Sequence, residues 1–462
     1  CSLLQGSEDE GTRTAPTTPP AAAQDGAGEE KEEEKGSAVR WRWRTGALTG
    51  ASAAAVARAT GIFGGAGNQS SADGEWAKAT APQPQPISVD HRPEIASKSI
   101  NYLADYSGCG YWRMIWPEHL LNAHQKAVIH STTMMCLDER WYDATDSVRL
   151  QRQATPSQLK FARLLRDFSS RKDFRMLYEI DDIVFKEDIP EYNKFKPAFE
   201  NPEIRDSAMK IMQLVDEITV TNKFMQEYYI DKTGNKNITV IPNYPPKWWM
   251  GRFYDTDRIK TNYSKHRKRP RILYSASGAH FDVDNRVKQR DDFHHVNDAV
   301  IKTLKDFQWV FIGAYPLTLA PYVQSGEVEF HQWQRLYEYP ELLYDLKPTM
   351  FVAPLADNTF NKAKSDLKYI EACCYGVPIA CQDLCTYGDA PYRFKTGDEM
   401  VDQIKKLVGN YTKYREASKA SYKVANTRWL ESDANIDKYA ELYTHPYKSP
   451  KRININSLEE NR

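Results

Sequence analysis

The segment from Asn358 to Gln382 reads NTFNKAKSDLKYIEACCYGVPIACQ and carries the strongest structural signal in the chain. It follows the apolar run TMFVAPL, contains a stretch with helical periodicity, and enters a second apolar run after Pro378. Gly376 stands where the helix must end, and glycine ends helices readily because it adopts the left-handed conformation of the cap. The segment therefore predicts strand, helix and strand, the repeating unit of a parallel α/β sheet.

The same alternation continues outward from this segment as short apolar runs separated by helical stretches. Two successive sets of parallel strands predict two Rossmann-like domains that face each other across a cleft, with ligands at the carboxyl ends of the strands. Two helical stretches, 397–428 with a break and 432–443, close the chain. The predicted strands are 100–106, 127–131, 175–180, 217–221 and 238–241 in the first set, and 272–276, 309–313, 328–331, 350–354 and 377–381 in the second.

Composition divides the chain into four parts. Residues 1–92 have almost no large apolar side chains and cannot offset their ordering entropy, so we predict a disordered segment. Residues 93–262 and 263–445 form the two predicted domains, and 446–462 form a tail. The basic stretch KHRKRPR (265–271) falls at the expected domain junction, which favours a linker over a phosphate-binding patch or a nuclear address.

Charge and cysteine content limit the classes of function. Lys+Arg and Asp+Glu are balanced at 62 each, so no overall field draws the chain to nucleic acid or membrane. The seven cysteines are odd in number and lack the spacing of a zinc or disulfide framework, which favours reduced thiols. No apolar run is long enough to span a bilayer. These features predict a soluble, cytoplasmic protein, although the chain begins with Cys and a targeting segment is left open.

Three charged residues of the helix predicted within 358–382 share one face. Lys364, Lys368 and Glu371 fall within an arc of roughly 60° at about 100° per residue, next to an apolar arc. They form either a surface ion-pair ladder or a ligand site. A helix that begins directly after a parallel strand presents its amides to the crevice, where phosphate binds readily. Lys364 and Ser365 are then donors for a diphosphate, and Glu371 is an acceptor for ribose hydroxyls.

The segment also resembles a known nucleotide-sugar motif. It is similar to the motif of GT-B glycosyltransferases of the family-4-like type (glycosyl transferases group 1), in a bacterial and phage branch with the pattern Asn-x-x-Lys-Ser-x-x-Lys-x-x-Glu before Gly-x-Pro. The resemblance implies that Lys364 and Ser365 meet the diphosphate and Glu371 the ribose. The positions that match are Asn361, Lys364, Ser365, Lys368, Glu371, Gly376 and Pro378.

One position departs from that pattern. The wider family usually has two glutamates eight positions apart, and the position eight before Glu371 is Ala363. The residue that contacts the sugar is therefore unassigned, and the candidates are Asp357, Asn358 and Asn361.

Further stretches resemble the same family over roughly residues 100–445. In GCGYWR (108–113), Gly110 permits close approach of a ligand and Arg113 could meet an anion, or the stretch forms a plain tight turn. In YEIDDIVF (178–185), Asp181 and Asp182 orient an acceptor hydroxyl or cap the next helix.

The stretch SASGAHFDVDN (275–285) resembles the loop after the first strand of the second domain. Here Gly278 allows the pyrophosphate to approach, and His280 is a candidate catalytic residue, although a lone histidine is more often structural.

The resemblance implies transfer of a sugar from a UDP- or GDP-sugar to a hydroxyl acceptor, with retention, without a metal and without a resident cofactor. The acceptor is a glycan, a lipid-linked group or another hydroxyl compound, and a modified DNA base is a less favoured alternative. Two other functions stay open. One is a metal-dependent GT-A-type transferase that uses Asp282 and Asp284, and the other is a non-catalytic nucleotide- or glycan-binding protein on a GT-B scaffold.

Overall fold

The computed structural model describes residues 97–251 and 254–444, and these residues belong to one compact unit. The segment 1–92, which we predicted to be disordered, and the predicted tail 446–462 lie outside the described residues. None of the helices within the described ranges is both long and apolar enough to cross a membrane.

The first sheet has six strands, all paired in parallel, in the order β2-β1-β3-β4-β5-β6. Its carboxyl-end crevice lies between β1 and β3, where the strand order reverses direction. The strands are β1 (Ser97–Tyr102), β2 (Ala127–Thr132), β3 (Ser147–Gln151), β4 (Arg175–Glu179), β5 (Glu217–Val220) and β6 (Ile238–Val240).

The second sheet also has six parallel strands, in the order β12-β11-β10-β7-β8-β9. Counted from its own first strand, this is the Rossmann order, and its crevice lies between β7 and β10. The strands are β7 (Arg271–Ala276), β8 (Gln308–Gly313), β9 (Glu329–Gln332), β10 (Met350–Ala353), β11 (Ile379–Gln382) and β12 (Arg393–Phe394). The prediction of two parallel α/β sheets is thus confirmed.

Helices cover both sheets. The first helical segment begins as a three-residue α-helix at Gly108–Gly110, continues through one π-helical turn at Tyr111–Ile115, and ends as the α-helix Trp116–Ala123. The α-helices are α1 (Gly108–Gly110), α2 (Trp116–Ala123), α3 (Pro156–Lys172), α4 (Pro202–Leu214), α5 (Lys223–Thr233), α6 (Lys247–Met250), α7 (Thr256–Lys265), α8 (Asn297–Lys302), α9 (Ala320–Gln324), α10 (Tyr339–Leu346), α11 (Thr359–Lys362), α12 (Leu367–Cys374), α13 (Gly397–Val408), α14 (Tyr411–Arg428) and α15 (Asp433–Thr444).

Local sequence explains several of these boundaries. Helix α3 begins with a capping box, in which the Thr155 hydroxyl accepts from the amide of Gln158 at 3.3 Å and the Gln158 side chain accepts from the amide of Thr155 at 2.9 Å. Helix α12 ends as predicted, because Gly376 has φ of +63° and turns the chain into β11.

The chain returns to the first sheet at its end. Helix α15 packs against α2, β1 and β2, and the Tyr443 hydroxyl accepts from Arg149 of β3 at 2.9 Å. The predicted division at residue 263 remains a prediction, but α15, which that division assigned to the second domain, packs with the first sheet. We call residues 97–251 with 433–444 the first half, and residues 254–428 the second half.

The basic stretch 265–271 lies at the amino ends of the second sheet's strands. Lys265 ends α7, Arg271 begins β7, and Arg269 donates to the carbonyls of Leu304 and Glu327 at 2.9 and 3.3 Å. This is the end of the sheet opposite the crevice. The position of residues 265–271 therefore agrees with a connecting segment. These basic residues are too far from the crevice end of the sheet to contact a phosphate there.

Candidate functional site

The two crevices share one narrow space, which we call the cleft. It encloses about 570 Å³, including space open to solvent. Loops that follow β3, β4, β7 and β10 line it, so the carboxyl ends of both sheets face this space. The lining residues are Arg152, Asp182, Ile183, Val184, Ile189, Asn193, Phe195, Ala198 and Phe199 from the first half, and Ser277, Ala279, His280, Phe360 and Lys364 from the second.

Lys364 and Ser365 lie in the turn between α11 and α12. We predicted them in the first turn of one helix, and this prediction is wrong, because the long helix begins at Leu367. Asn358 caps α11 by accepting from the amide of Asn361 at 2.8 Å, which starts a separate helical turn. The carboxylate of Asp366 accepts from the guanidinium of Arg428 at 3.0 Å. The backbone of Asp366 is not helical, so this residue separates α11 from α12.

Lys364, Lys368 and Glu371, which we call the stripe, each contact another part of the protein. The Lys364 ammonium lies 3.7 Å from a carboxylate oxygen of Asp182, and the Lys368 ammonium lies 3.4 Å from Nε2 of His280. Glu371 pairs with the hydroxyl of Tyr339 at 3.1 Å. Since each member contacts a different element across the cleft or its floor, the arrangement does not fit a surface ion-pair ladder.

Burial shifts the ionisation of two stripe residues. It raises the pKa of Glu371 to about 7, against the opposing effects of the Tyr339 hydrogen bond and the Lys368 charge. It lowers the pKa of Lys368 to about 8, and the neighbouring charge of Lys364 lowers it further. Paired groups with displaced pKa values at a strand-end crevice are typical of functional sites.

His280 forms a dyad with a residue that sequence reasoning missed. Its Nδ1 lies 2.7 Å from a carboxylate oxygen of Asp292, which is 1% exposed. Burial and the charge of Lys368 lower the pKa of His280 to about 3, so the ring is neutral. Because the carboxylate accepts from Nδ1, the tautomer places the lone pair on Nε2, toward Lys368. The pattern RDDF around Asp292 carried no signal for this pairing.

Asp292 also joins the two halves. Its other oxygen accepts from the Tyr192 hydroxyl of the first half at 2.5 Å, from the amide of Ala356 at 3.0 Å, and from the side chain of Asn361. Burial raises the pKa of Asp292, but the hydrogen bonds from His280, Tyr192 and Ala356 lower it more. The carboxylate therefore stays ionised within this hub.

The structure corrects the predicted ligand role of Asn361. This residue is 0% exposed, and its side-chain amide donates to Asp292, to the carbonyl of Ala356 at 2.9 Å and to the Tyr192 hydroxyl at 3.1 Å. Asn358, besides capping α11, donates to the same hydroxyl at 3.2 Å. Both residues shape the turn after β10. The side-chain nitrogens of both residues are occupied by protein groups. Oδ1 of Asn361 has no partner in the described part of the chain, but it is buried, so a contact to the sugar does not follow.

Asp357, the third candidate for a sugar contact, points away from these groups. It is 69% exposed on its side chain and pairs with Lys362 at 2.7 Å.

Two predicted residues of the first half differ in their surroundings. Asp181 pairs with Arg152 at 3.3 Å, and although burial raises its pKa, the combined lowering effects, of which the charge of Arg152 is the largest, bring it below its ordinary value. Arg152 also pairs with Asp105 at 3.0 Å. Asp182 faces Lys364 and accepts from the amide of Ile183 at 3.1 Å. Neither aspartate caps a helix, since the next helical turn begins at Lys186 with Phe185 before it.

The structure also corrects the predicted anion contact of Arg113. This residue is fully buried, and its guanidinium donates to Glu179 at 2.5 Å, to the Ile241 carbonyl at 2.6 Å and to Asn243 at 3.0 Å. Gly110 is required by the turn itself, because a Cβ there would lie 2.1 Å from the Asp105 carbonyl oxygen. The GCGYWR stretch is therefore neither an anion loop nor a plain tight turn, since it forms α1 and the start of the π-helical turn and carries a buried arginine into the first sheet's core.

Gly278 lies where we expected close approach of a ligand. A Cβ at this position would lie 3.4 Å from the side chain of Lys194, which reaches over from the first half. Gly278 begins a 3-10 turn that ends at His280, so the same turn presents the dyad to the cleft.

The aspartate pair of the GT-A alternative has a structural role. Asp282 is 1% exposed, and its carboxylate accepts from the amides of Arg286 at 2.7 Å, Val287 at 2.9 Å and Gln289 at 2.9 Å. Asp284 pairs with Arg286 at 3.4 Å. Within residues 97–251 and 254–444, no three His, Cys, Asp or Glu side chains cluster as metal ligands would. The cysteines described there carry reduced thiols.

No protein-family model and no curated protein matches the chain. Solved structures do match. The complex of Anabaena HepE with UDP and glucose superposes with a TM-score of 0.50 at 11% identity, covering 75% of this chain and 98% of that one. An alpha-glucosyltransferase in complex with UDP and a 13-mer DNA containing an HMU base superposes with a TM-score of 0.49 at 10% identity, covering 75% of this chain and 99% of that one. The glycosyltransferase of kitacinnamycin gives 0.39 at 12% identity, with 76% and 98% covered. At 11% identity, the likeness to HepE shows the fold alone, which is GT-B.

Proposed function

We propose that this chain with the GT-B fold is a glycosyltransferase of the family-4-like type that moves a sugar from a nucleoside-diphosphate sugar to a hydroxyl acceptor. The observation that carries the proposal is the stripe of Lys364, Lys368 and Glu371. These side chains meet Asp182, His280 and Tyr339 at the carboxyl ends of two parallel sheets. Cations, an ordered histidine and a buried carboxylate in one crevice suit an activated sugar better than a surface ladder.

The donor's diphosphate belongs beside Lys364, Ser365 and Lys368. The hydroxyl of Ser365 accepts from Asn243 at 3.1 Å, so its own hydrogen can donate to a phosphate oxygen. Two ammonium groups and this hydroxyl supply charge-assisted and neutral donors to the anion. Glu371, at the buried end of the stripe, is the acceptor for the ribose hydroxyls. The UDP and glucose bound to HepE make UDP-glucose the first donor to test, with GDP-sugars as the alternative.

The reaction forms one bond and breaks one. The acceptor oxygen bonds to the anomeric carbon, the bond from that carbon to the diphosphate oxygen breaks, and the acceptor's proton passes to the leaving phosphate. We propose that both events occur on the same face of the sugar, which retains the anomeric configuration, and that no metal takes part. Lys364 and Lys368 would stabilise the negative charge that develops on the leaving group, and loss of one such donor typically costs about 3 kcal/mol.

His280 and the aspartates have separate roles in this proposal. The neutral His280 presents its Nε2 lone pair to the cleft edge, where it can accept from a sugar hydroxyl. Asp182 can orient the acceptor hydroxyl when Lys364 turns from it to the diphosphate. Asp181 is committed to Arg152 and would act by holding that arginine.

The acceptor side of the cleft carries Ile183, Val184 and Phe195 next to Asp182. This mixture suits a hydroxyl compound with an apolar face, and a glycan, a lipid-linked group or a modified base all stay candidates.

Turnover of the purified protein tests the proposal. We expect slow release of UDP from UDP-glucose, and Lys364→Ala should reduce it by about 100- to 1,000-fold. The matched control is Lys362→Ala, two residues away, because Lys362 pairs with the exposed Asp357 and does not line the cleft.

Equal rates for the two variants would contradict the role of Lys364. A protein that binds nucleotide sugars and hydrolyses none would instead be the non-catalytic binding module. Thermal unfolding against a panel of nucleotide sugars identifies the donor, because a ligand at 100 times its Kd stabilises the fold by about 2.7 kcal/mol.

A further inference from the structure

One tryptophan at the carboxyl ends of the second sheet has no ring contact with another aromatic side chain among residues 97–251 and 254–444. Trp333 follows β9 and is 62% exposed. The other tryptophans in the described part of the chain each contact another aromatic ring, as Trp141 contacts His130 at a centroid distance of 6.1 Å. An indole that leaves most of its surface in water gains little from burial, so packing does not explain this position.

The backbone beneath Trp333 is shaped to let it approach. Gly313 ends β8 with φ of +89°, a conformation that residues with a side chain rarely adopt. A Cβ at Gly313 would lie 2.8 Å from Cε3 of Trp333 and 2.5 Å from the carbonyl oxygen of Ala276. Glycine therefore allows the indole to lie directly over the strand end.

Strand register relates this indole to the stripe. Ala276, Gly313 and Gln332 are partners across β7, β8 and β9, so they form one row at the carboxyl edge. Neighbouring strands lie about 4.8 Å apart, which places Gly313 one strand from the end of β7.

Ser275, at the end of β7, lies 3.0 Å from the Tyr339 hydroxyl, which also contacts Glu371. A ribose held by Glu371 would thus lie near the β7 end of the row, and Trp333 follows Gln332 at the other end.

We propose that Trp333 is a stacking platform for the nucleobase of the donor. The inference rests on the proposed function, since it assumes that a nucleoside diphosphate occupies the stripe. Stacking on an indole does not depend on the identity of the base, because every base has an aromatic face. Trp333 therefore sets the affinity for nucleotides in general, and selection between uracil and guanine depends on other contacts.

Binding measurements on the full chain test this role. Isothermal titration with UDP, GDP and inorganic pyrophosphate is done for the wild type, Trp333→Ala and Trp333→Phe. We expect Trp333→Ala to weaken UDP and GDP alike by about 10- to 100-fold and to leave pyrophosphate binding unchanged. Trp333→Phe keeps an aromatic ring, so it should bind UDP and GDP with most of the wild-type affinity.

The matched control is Trp141→Ala, which removes a comparably exposed tryptophan, 52% exposed, from the first half. It should change none of the three affinities. Quenching of tryptophan fluorescence by UDP gives a second readout, because Trp333→Phe should remove the quenched component while UDP still binds.

Three outcomes separate the inference from the function on which it rests. If the wild type binds UDP and Trp333→Ala binds it equally well, the platform is refuted and the donor site stands. If Trp333→Ala weakens pyrophosphate as much as UDP, the variant has damaged the site generally, and the stacking role is refuted. If the wild type binds neither UDP, GDP nor pyrophosphate, the proposed function itself is wrong.

Discussion

Replacement of Glu371 by glutamine separates a functional carboxylate from a structural one, because the two roles predict opposite results. Burial raises the pKa of Glu371 from the ordinary value of 4.5 to about 7. A folded-state pKa above the unfolded value means that this group stabilises the fold below about pH 4.5 and that the contribution is lost as the pH rises through about 7. At pH 8 the protein therefore carries a buried charge that it did not need for folding.

The size of this effect follows from the shift. A pKa difference of about 2.5 corresponds to an upper bound of about 3 kcal/mol. Glutamine keeps the shape and the contact to Tyr339 but does not ionise. It also removes a negative charge that favours the protonated Lys368, which offsets part of the gain. We expect Glu371→Gln to stabilise the protein at pH 8 by about 1 to 2 kcal/mol and to have little effect near pH 5.

Urea unfolding of both proteins near pH 5 and pH 8 measures the stability, and isothermal titration with UDP-glucose measures the function. Glu371→Gln should weaken binding by about 5-fold, since hydrogen bonds to a charged group are stronger by roughly 1 kcal/mol.

The control is Glu329→Gln. Burial raises the pKa of Glu329, but the hydrogen bonds and charges of Arg271 and His331 together lower it more, which predicts a loss of stability at pH 8. If Glu371→Gln were less stable than the wild type at pH 8, the burial argument would be refuted. Unchanged binding would refute the ribose contact.

Two further predictions concern the cleft. Since the pKa of Lys368 is lowered to about 8 and an anionic diphosphate binds the charged form, the affinity for UDP should fall by up to about 10-fold per pH unit above pH 8. Lys368→Arg should flatten this titration profile because the guanidinium stays protonated, and a flat wild-type profile between pH 7 and 9 would contradict the assignment. In Asp292→Asn, the donors Tyr192, Ala356 and Asn361 hold the remaining amide oxygen. The new NH2 group then faces Nδ1, so His280 should shift its proton from Nδ1 to Nε2, toward the Lys368 ammonium. Nitrogen NMR of the ring should report this tautomer with a fall in kcat of about 10- to 100-fold, and an unchanged tautomer would show that Asp292 does not position the ring.

Much of the fold could be predicted from apolar runs, but the strand at the first crevice could not. Strand β3 reads SVRLQ, and all five residues are buried. Its Arg149 pairs with Glu179 of β4 in the interior, so a charge stands where the apolar pattern expects a hydrophobic residue. Strand β12 has only two residues and leaves no periodic signal at all. The pattern therefore fails where polar partners from distant segments make burial tolerable.

The candidate site could likewise be predicted only in part. Helical spacing within α12 brings Lys368 and Glu371 together, so this part of the stripe could be predicted, whereas Lys364 joins them from the turn before the helix. The partners could not, since Tyr339 and Asp292 lie on other elements and meet the stripe only after the sheet has formed. Asn361 matched a motif position, yet it is buried in the turn. A motif records which residues a turn requires, but it does not distinguish the residues that build the turn from those that the turn presents.

The contacts that cross the cleft suggest how the two sides of the site depend on each other. Asn222 of the first half donates to the carbonyl of Lys364 at 2.9 Å, and Asn243 donates to Ser365 at 3.1 Å. The first half thus holds the backbone that precedes α12, while Asp182 faces the Lys364 ammonium. A diphosphate that draws this ammonium to itself removes a cation that neutralises Asp182. Under the proposed function, the event that fills the donor side therefore also leaves a carboxylate ready to accept a hydrogen bond from the acceptor hydroxyl.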